Sequence, residues 1–343
     1  MTRRYRLWGA LVILGCFHVV ILFADFFAPY SFTTQDRAMP FAPPTRLHWV
    51  DESGRFHARP FVYGLKDDPR SLGIYQTDFM RRYPLRAFVD GSSYRIVGLL
   101  PSHLHLFGVE EPGRIFLLGS DGYGRDQFSR FLYGGQISLL SGILAAALSV
   151  LLGTVVGTLA GFYGGSIDEA LMRGSELFLG LPWLYLLFAV RAVLPLHIAG
   201  WQVFLLLVAV LGLVGWARPA RLIRGVALSA KERNFVLAAR GFGASDLYLI
   251  WRHVLPQTGG VVLTQTALLV PTYVLAEVTL TFLGLGVGEP LASWGSLLSS
   301  LQQYYVLSSY WWMFLPALLM AALFQAYYTA ADAIQGRLKS AAL

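Results

Sequence analysis

The chain reads as an all-α integral membrane protein of six spans, with an extracytoplasmic insertion containing some β structure between the first span and the second. Three observations predict this. Of 343 residues, 55% are hydrophobic and only 14% charged, whereas soluble domains carry roughly 25% charged residues. Apolar runs approaching or exceeding the 20 or so residues that a bilayer crossing needs recur along the chain. Basic residues are distributed unevenly among the segments between those runs, as a topology signal requires.

The first run, Leu7 to Ala24, follows Arg3, Arg4 and Arg6, and residues 1–28 are expected to form an amino-terminal membrane anchor. A basic start before an apolar core also describes a removable signal peptide, and "ILGC" faintly resembles a lipoprotein cleavage site. Both readings place the following segment outside. Residues 29–118 have the composition of a soluble segment. Within it, "RLHWVDESGRFHARPFV" alternates on either side of a turn-like "DESG", which predicts a hairpin, and "SYRIVGLL" predicts a further strand. His103 and His105 lack a nearby carboxylate or cysteine and are expected to be ordinary surface residues rather than a metal site.

Residues 119–335 are expected to form the core, with five more spans. Phe131 to Ile167 contains no charged residue, and its middle, "GILAAALSVLLGTVVGTLAG", suits close helix packing in lipid. Leu177 to Leu196 and Trp201 to Trp216 are the third and fourth spans, the third interrupted by Pro182, Arg191 and Pro195. Gly259 to Leu283 and Tyr310 to Ala331 complete the set, and residues 336–343 form a tail. The single cysteine, Cys16, excludes a disulfide within the chain and a cysteine metal cluster.

With both termini inside, the short inner segments hold Arg3, Arg4, Arg6, Arg173, Arg218, Arg221, Arg224, Lys231, Arg233, Arg240, Arg252, Arg337 and Lys339, and the short outer loops hold only Arg191. That asymmetry satisfies the positive-inside rule. The formal charge of +7 therefore reports topology and not nucleic-acid binding. It also places the segment 226–258 on the cytoplasmic side. There, Ser229 and Glu232 have the spacing of a capping box, predicting a helix from Ala230 to Arg240. Gly241 and Gly243 permit the left-handed conformation that ends it. Ser245 or Asp246 then caps a second helix whose apolar face is Leu247, Ile250, Trp251, Val254 and Leu255, with Pro256 blocking its backward continuation. A basic amphipathic hairpin could lie on anionic lipid, but the small side chains of "AARGFG" are better suited to close approach by a partner protein.

"KERNFVLAARGFGASDLYLIWRHVLP" resembles the EAA loop of permease subunits of binding-protein-dependent ABC importers. Ala238, Ala239, Gly243, Leu255 and Pro256 stand at its characteristic positions, while Leu237 replaces the family's glutamate. Two more stretches are similar to the dipeptide, oligopeptide and nickel branch, in its second, C-type permease. One is "LGSDGYGRDQFSRFLYGGQISL", where Gly135 and Gln136 depart from the commonest pattern. The other is "LAEVTLTFLGLGVGEPLASWGSLL". The likeness covers residues 115–335; the pattern near the carboxyl end is weakened to "ADAIQG".

The resemblance implies the type I ABC importer permease fold in a bacterial inner membrane, forming half of the translocation pathway for peptides or similar small solutes. It implies a second homologous permease as heterodimer partner, two ATP-binding subunits, and an extracytoplasmic substrate-binding protein. Coupling to the ATPase falls to residues 229–256, in particular Ala238, Ala239, Arg240, Gly241, Gly243, Ala244, Asp246, Leu255 and Pro256. No catalytic residue, metal or cofactor is expected. No G-x-x-x-x-G-K-[ST] phosphate loop occurs, and Lys66, Lys231 and Lys339 lie outside glycine-rich settings.

Asp121, Gly124, Arg125, Asp126, Ser129 and Arg130 form the signature before the second span, where the charges are expected to make a salt-bridged cap. Glu277 and Pro271 fall in the fifth span. A carboxylate at that depth costs on the order of 2–3 kcal/mol unless neutral, paired or water-facing, so Glu277 is a candidate for the translocation pathway or for a helix-to-helix hydrogen bond. Pro271 is a candidate kink. Trp294 and Gly295 are expected in an outer loop, the tryptophan as an interfacial anchor. A secondary transporter would carry inverted repeats and paired midplane charges, and a membrane enzyme a nucleophile with its base. The sequence displays neither.

Overall fold

The computed structural model describes residues 2–67, 75–96, 99–193 and 199–341. Among the described residues thirteen α-helices and five strands follow one another as α1 (Thr2–Leu22), α2 (Ala24–Phe27), β1 (His48–Val50), β2 (Phe56–Asp67), β3 (Tyr75–Pro84), β4 (Arg86–Ile96), β5 (Leu100–Gly108), then α3 (Gln127–Tyr163), α4 (Gly165–Gly180), α5 (Trp183–Val193), α6 (Gly200–Gly215), α7 (Ala217–Lys231), α8 (Asn234–Gly241), α9 (Asp246–Leu249), α10 (Gly259–Phe282), α11 (Trp294–Leu298), α12 (Tyr304–Ser309) and α13 (Leu315–Ala341). Short π and 3₁₀ turns link several of them. The protein is mostly helical, with strands confined to its amino-terminal third.

Among the described residues five helical stretches are long and apolar enough to cross a membrane: Tyr5–Leu22, Gln127–Tyr163, Gly200–Lys231, Asp246–Phe282 and Trp311–Gly336. The span expected over Leu177 to Leu196 is not one of them. Its helix stops at Gly180, Leu181 is extended (φ −76°, ψ 123°), and α5 restarts at Trp183. Pro182 is the reason, because its ring disfavours the helical conformation for the residue before it. Pro195 and Leu196 lie outside the described residues. The fourth expected span, in contrast, does not end at Trp216: the helical stretch continues to Lys231.

The chain forms two compact units. One comprises Met1–Leu14, Leu139–Thr279 and Leu323–Leu343; the other comprises Gly15–Ser138 and Leu280–Ala322. The first unit is organised by glycine. Gly153, Gly157 and Gly161 recur every fourth residue and so share one face of α3. A Cβ at Gly153 would sit 2.7 Å from the Pro219 side chain and 2.9 Å from the Trp216 carbonyl; at Gly157 it would collide with the Ala220 carbonyl; at Gly161 it would lie 2.6 Å from the Ala227 Cβ. The backbone of α3 therefore packs directly on α7, as small-residue rows allow in membrane proteins. From its other side α7 is tied to α4, where Arg224 grips Asp168 with two guanidinium nitrogens and Arg221 reaches Glu176 at 2.9 Å. The Arg224 hydrogen bond holds the Asp168 carboxyl below the usual carboxylate range. Near the amino terminus, Leu7 and Ala10 of α1 pack on Ala330 and Ala333 of α13.

The second unit contains the strands. The hairpin expected around "DESG" is present: β1 and β2 pair antiparallel, with His48 opposite Phe61 and Val50 opposite Phe56. Asp51 Oδ1 accepts from the Ser53 and Arg55 amides, and Gly54 takes φ +77°. β3 adds to the far edge of β2. "SYRIVGLL" is not one strand. It contains the end of β4 and the start of β5, which pair antiparallel with each other, while Val97 and Gly98 lie outside the described residues. His105 is not a surface residue either; it is buried, with Nδ1 2.7 Å from the Ala28 carbonyl. His103 is exposed and 3.2 Å from Asp90.

Replacing Gly157 by leucine should force α3 and α7 apart, at a cost of about 3 kcal/mol or more because backbone and not a flexible side chain is struck. Gly225, whose Cβ would meet open space, should accept alanine without loss. Monodisperse yield and thermal midpoint in detergent, measured by fluorescence-detected size exclusion, distinguish the two.

Candidate functional site

Two clusters gather the residues singled out in the sequence, one in each unit. In the first unit α7 ends at Lys231, and the chain breaks at Glu232 and Arg233 before α8 begins at Asn234. The expected capping box does not form. Ser229 lies inside α7, and Arg233, extended at φ −72° and ψ 142°, is the residue that precedes α8. The helix of α7 runs through Ser229 because its register is already set by packing on α3, which outweighs a local cap.

The end of α8 is a Schellman turn. The Ala244 amide donates to the Ala239 carbonyl at 3.1 Å and the Gly243 amide to the Arg240 carbonyl at 3.0 Å, the paired bonds that satisfy orphan carbonyls at a helix end. Gly243 takes φ +83° in open space, so it is required for its backbone conformation and not for room; Gly241 is simply the last helical residue. The contact that accompanies such turns is also present. Ala239 and Ala244 both pack against a buried cluster of Phe162, Ala227, Ala230, Val236, Leu249, Ile250 and Val254.

Ser245 caps α9, its Oγ accepting from the Tyr248 amide at 3.4 Å, with Asp246 in the first turn. Arg240 lies 3.6 Å from Asp246 and over the Phe162 ring, 5.3 Å from its centroid, so it ties the two arms of the hairpin to the end of α3. Pro256 does not terminate the helix. Ile250–Val254 forms a π turn in which the Leu255 amide reaches back five residues to Ile250, and Leu255–Thr258 follows as a 3₁₀ turn leading into α10. The offset in the hydrogen-bond ladder accommodates the amide that proline lacks. Leu249, Ile250 and Val254 are buried, whereas Leu247 and Trp251, expected on the same face, are exposed.

The hairpin thus presents Leu237, Ala238, Phe242, Leu247, Tyr248 and Trp251 to the outside, with Phe242 93% exposed. Arg240 and Arg252 are exposed as well. This is a mixed apolar and basic surface on a rigid base. Further along the same unit, α10 contains Pro271, buried in the helix interior, and Glu277, fully buried.

The second cluster lies where the chain enters α3. Gly124 takes φ +72°, and a side chain there would run into the Asp36 carbonyl. Asp121 Oδ1 accepts from the Tyr123 and Arg125 amides at 2.8 and 3.0 Å, and Oδ2 accepts from Arg125 Nε at 2.7 Å. Arg125 Nη1 and Arg130 Nη2 both reach Glu289 Oε1, at 2.9 and 3.2 Å. Burial alone would lower the Arg125 guanidinium; Asp121 and Glu289 reverse that and raise it. Asp126 caps α3, its Oδ2 accepting from the Ser129 amide at 2.8 Å and hydroxyl at 2.6 Å. Its Oδ1 is buried with no partner among the described residues. Burial pushes the Asp126 carboxyl up to about 7.

Glu289 was invisible as a member of this cluster, since it stands far along the chain in a loop with no local signal. Trp294 departs from its expected place in an outer loop. It is no interfacial anchor: it is fully buried, stacked on Phe131 at 5.3 Å, with Nε1 donating to the Phe131 carbonyl at 2.9 Å. Gly134 makes that approach possible, because a Cβ there would lie 2.9 Å from the Ser293 backbone. Among the described residues no three His, Cys, Asp or Glu side chains form a metal-binding group.

The family described as the binding-protein-dependent transport system inner membrane component matches residues 153–340. Among curated proteins, a dipeptide transport system permease protein of Bacillus subtilis is 38% identical over 221 residues, 64% of this chain and 67% of that protein. An oligopeptide transport system permease protein of Escherichia coli is 43% identical over 189 residues, 55% of this chain and 60% of that protein. The chain thus spans about two thirds, or somewhat less, of the length of these relatives. Among solved structures, inward-facing conformations of a methionine ABC transporter match with a TM-score of 0.46 at 19% identity, covering 60% of this chain and 94% of that one.

Asp126 makes stability depend on pH. An acid that titrates near 3.8 ordinarily and about 7 when folded keeps, in the folded state, a proton that the unfolded chain has released, so stability falls as pH rises between those values and is flat outside them. Asp126→Asn retains a capping side chain and removes the titration. Its thermal midpoint relative to the unmodified protein should be higher at pH 8 than at pH 4 by several degrees, measured by differential scanning fluorimetry.

Proposed function

The chain belongs to the family of binding-protein-dependent transport system inner membrane components, and from that premise we propose that it is the permease subunit of an ATP-driven peptide importer, coupled to separate ATPase subunits through residues 229–256. The observation that carries this reading is the hairpin of α8 and α9. Its inward side chains are locked in one core and its outward ones, Phe242, Leu247 and Trp251 above all, are large, apolar and exposed. Such side chains are costly in water unless a partner covers them. A nucleotide-binding subunit that closes on ATP can pull on this base as a rigid lever, because the hairpin is continuous with α10 and packs on α7 and the end of α3. Rigid-body rocking of paired helices is an established way of switching access from one side to the other.

On this reading six spans cross the inner membrane, the sixth supplied by the broken α4–α5 region. Both termini and the segment 226–258 are cytoplasmic, residues 29–118 form an extracytoplasmic insertion on the permease core of 119–335, and residues 336–343 are a tail. The complex contains a second, homologous permease, two ATP-binding subunits and a substrate-binding protein that delivers solute to the outer side. Peptide is the proposed cargo because the curated relatives named above are dipeptide and oligopeptide permeases. Glu277 and Pro271 lie in α10, where a pathway residue and a pivot would stand. The Asp121–Arg125–Arg130–Glu289 cluster holds the loop before α3 to the loop before α11, and its proposed role is structural.

Phe242→Asp combined with Trp251→Asp should leave the protein inserted in the membrane and reduce ATPase co-purification about tenfold or more, the scale of losing a buried interface anchor. Undiminished co-purification would overturn the assignment of the hairpin. Leu237→Glu should leave peptide uptake into proteoliposomes at least as fast; a large loss would mean that this surface meets its partner differently from the family pattern.

A further inference from the structure

Beneath the hairpin, within the first unit, a cavity of about 610 Å³ opens between the carboxyl end of α7, the start of α10 and the carboxyl end of α13. It falls in the size range of small-molecule sites. Its polar lining is Ser229, Arg233, Gln257, Thr264, Gln265 and Gln335, and among the described residues no carboxylate lines it. Arg233, Gln257 and Gln335 stand exposed at the rim, while Thr264 and Gln265 are buried.

The lining has uncommitted hydrogen-bonding capacity. Among the described residues the side chains of Arg233, Gln257, Gln265 and Gln335 bond to nothing else in the protein. For the exposed three, water supplies the partners. Gln265 is only 8% exposed but is not among the buried side chains left without a partner, so its amide, with two donors and an acceptor, is open to the cavity that it lines. Thr264 donates to the Gly260 carbonyl at 2.9 Å and keeps its acceptor capacity. Among the described residues the polar part of the lining is therefore amides and hydroxyls with one guanidinium, set beside the apolar Leu222, Val226, Ala230 and Val261.

We infer that this cavity is a peptide-binding station on the inner half of the pathway, in which the glutamine amides take up the peptide backbone and Arg233 takes up the terminal carboxylate. The inference rests on the peptide-importer reading above. Primary amides match the peptide group donor for acceptor and are indifferent to side-chain identity, and a guanidinium pairs a carboxylate bidentately. The absence of any lining carboxylate leaves Arg233 available to an anionic end. A sugar would be served equally well by the amides but would make no use of the charge.

The test uses the assembled complex of both permeases and both ATPase subunits, free of nucleotide and of binding protein, with radiolabelled tri-alanine as probe and tri-alanine amide as its uncharged counterpart. Equilibrium binding of tri-alanine should weaken about tenfold in Arg233→Gln, the scale of a lost charge-assisted hydrogen bond, and recover in part in Arg233→Lys. Binding of the amide should be unaffected by Arg233→Gln. Gln265→Leu should weaken both probes; co-purification of the ATPase is measured for every variant as the control for assembly, since Arg233 falls within the coupling segment and Gln265 outside it. Unchanged tri-alanine affinity in both Arg233→Gln and Gln265→Leu would overturn the inference, as would an affinity change equal for acid and amide in Arg233→Gln. Tri-alanine uptake by the complete importer in proteoliposomes separates the two levels. If the unmodified importer takes up the peptide and these variants bind it normally, only the station fails; if it takes up no peptide, the substrate reading fails and the station with it.

Discussion

The backbone contact between α3 and α7 is the constraint on which the first unit depends. Three glycines one turn apart bring the two helices so close that the Trp216, Ala220 and Arg224 carbonyls of the α7 region lie against the α3 surface, and no side chain larger than hydrogen fits. In lipid there is little hydrophobic force to press helices together, so dispersion contact at short range has to supply the attraction. Once α7 is seated, its far end is fixed as well. Phe162 at the end of α3 and Ala227 and Ala230 on α7 are members of the core that holds α8 and α9. The protruding hairpin is therefore an extension of a helix pair, not a loose loop, and a force applied to it is transmitted to the spans.

The second unit depends on polar closure instead. Asp121, Arg125, Arg130 and Glu289 make a chain of ion pairs whose two arginine side chains are largely buried, and buried charges of this kind are tolerated only when paired and hydrogen-bonded. The same junction buries Trp294 against Phe131 and uses Ser138 Oγ to accept from the Trp294 amide at 3.1 Å. Ion pairs and the indole together define where the loop before α11 meets the start of α3, and so fix the first turn of a helix that passes into the other unit.

Much of this was legible in the residues. The Gly- and Ala-rich middle of the second span suited close helix packing; "DESG" announced a turn; Gly243 and Ser245 announced a helix end and a helix start, and each acts where the local pattern placed it. These are signals whose cause lies within a few residues. The failures share the opposite character. Ser229 and Glu232 had the spacing of a cap and made none, because α7 was already committed by its packing. Pro256 had the chemistry of a helix terminator and was absorbed by a π turn. Leu247 and Trp251 shared a helical face with Ile250 on paper and are exposed, while Leu249, Ile250 and Val254 are buried.

By itself the sequence determined the membrane class, the long apolar stretches, the sidedness signal in its basic residues and the family motifs, since each follows from local composition or from short spacings. Only the tertiary structure decided that Glu289 closes the Arg125 and Arg130 cluster, that Trp294 is buried, and that Arg233 shares one cavity with Gln265 and Gln335. Those residues are distant in the chain, and what brings them together is helix packing, whose energy belongs to pairs of surfaces and leaves no mark in either stretch taken alone.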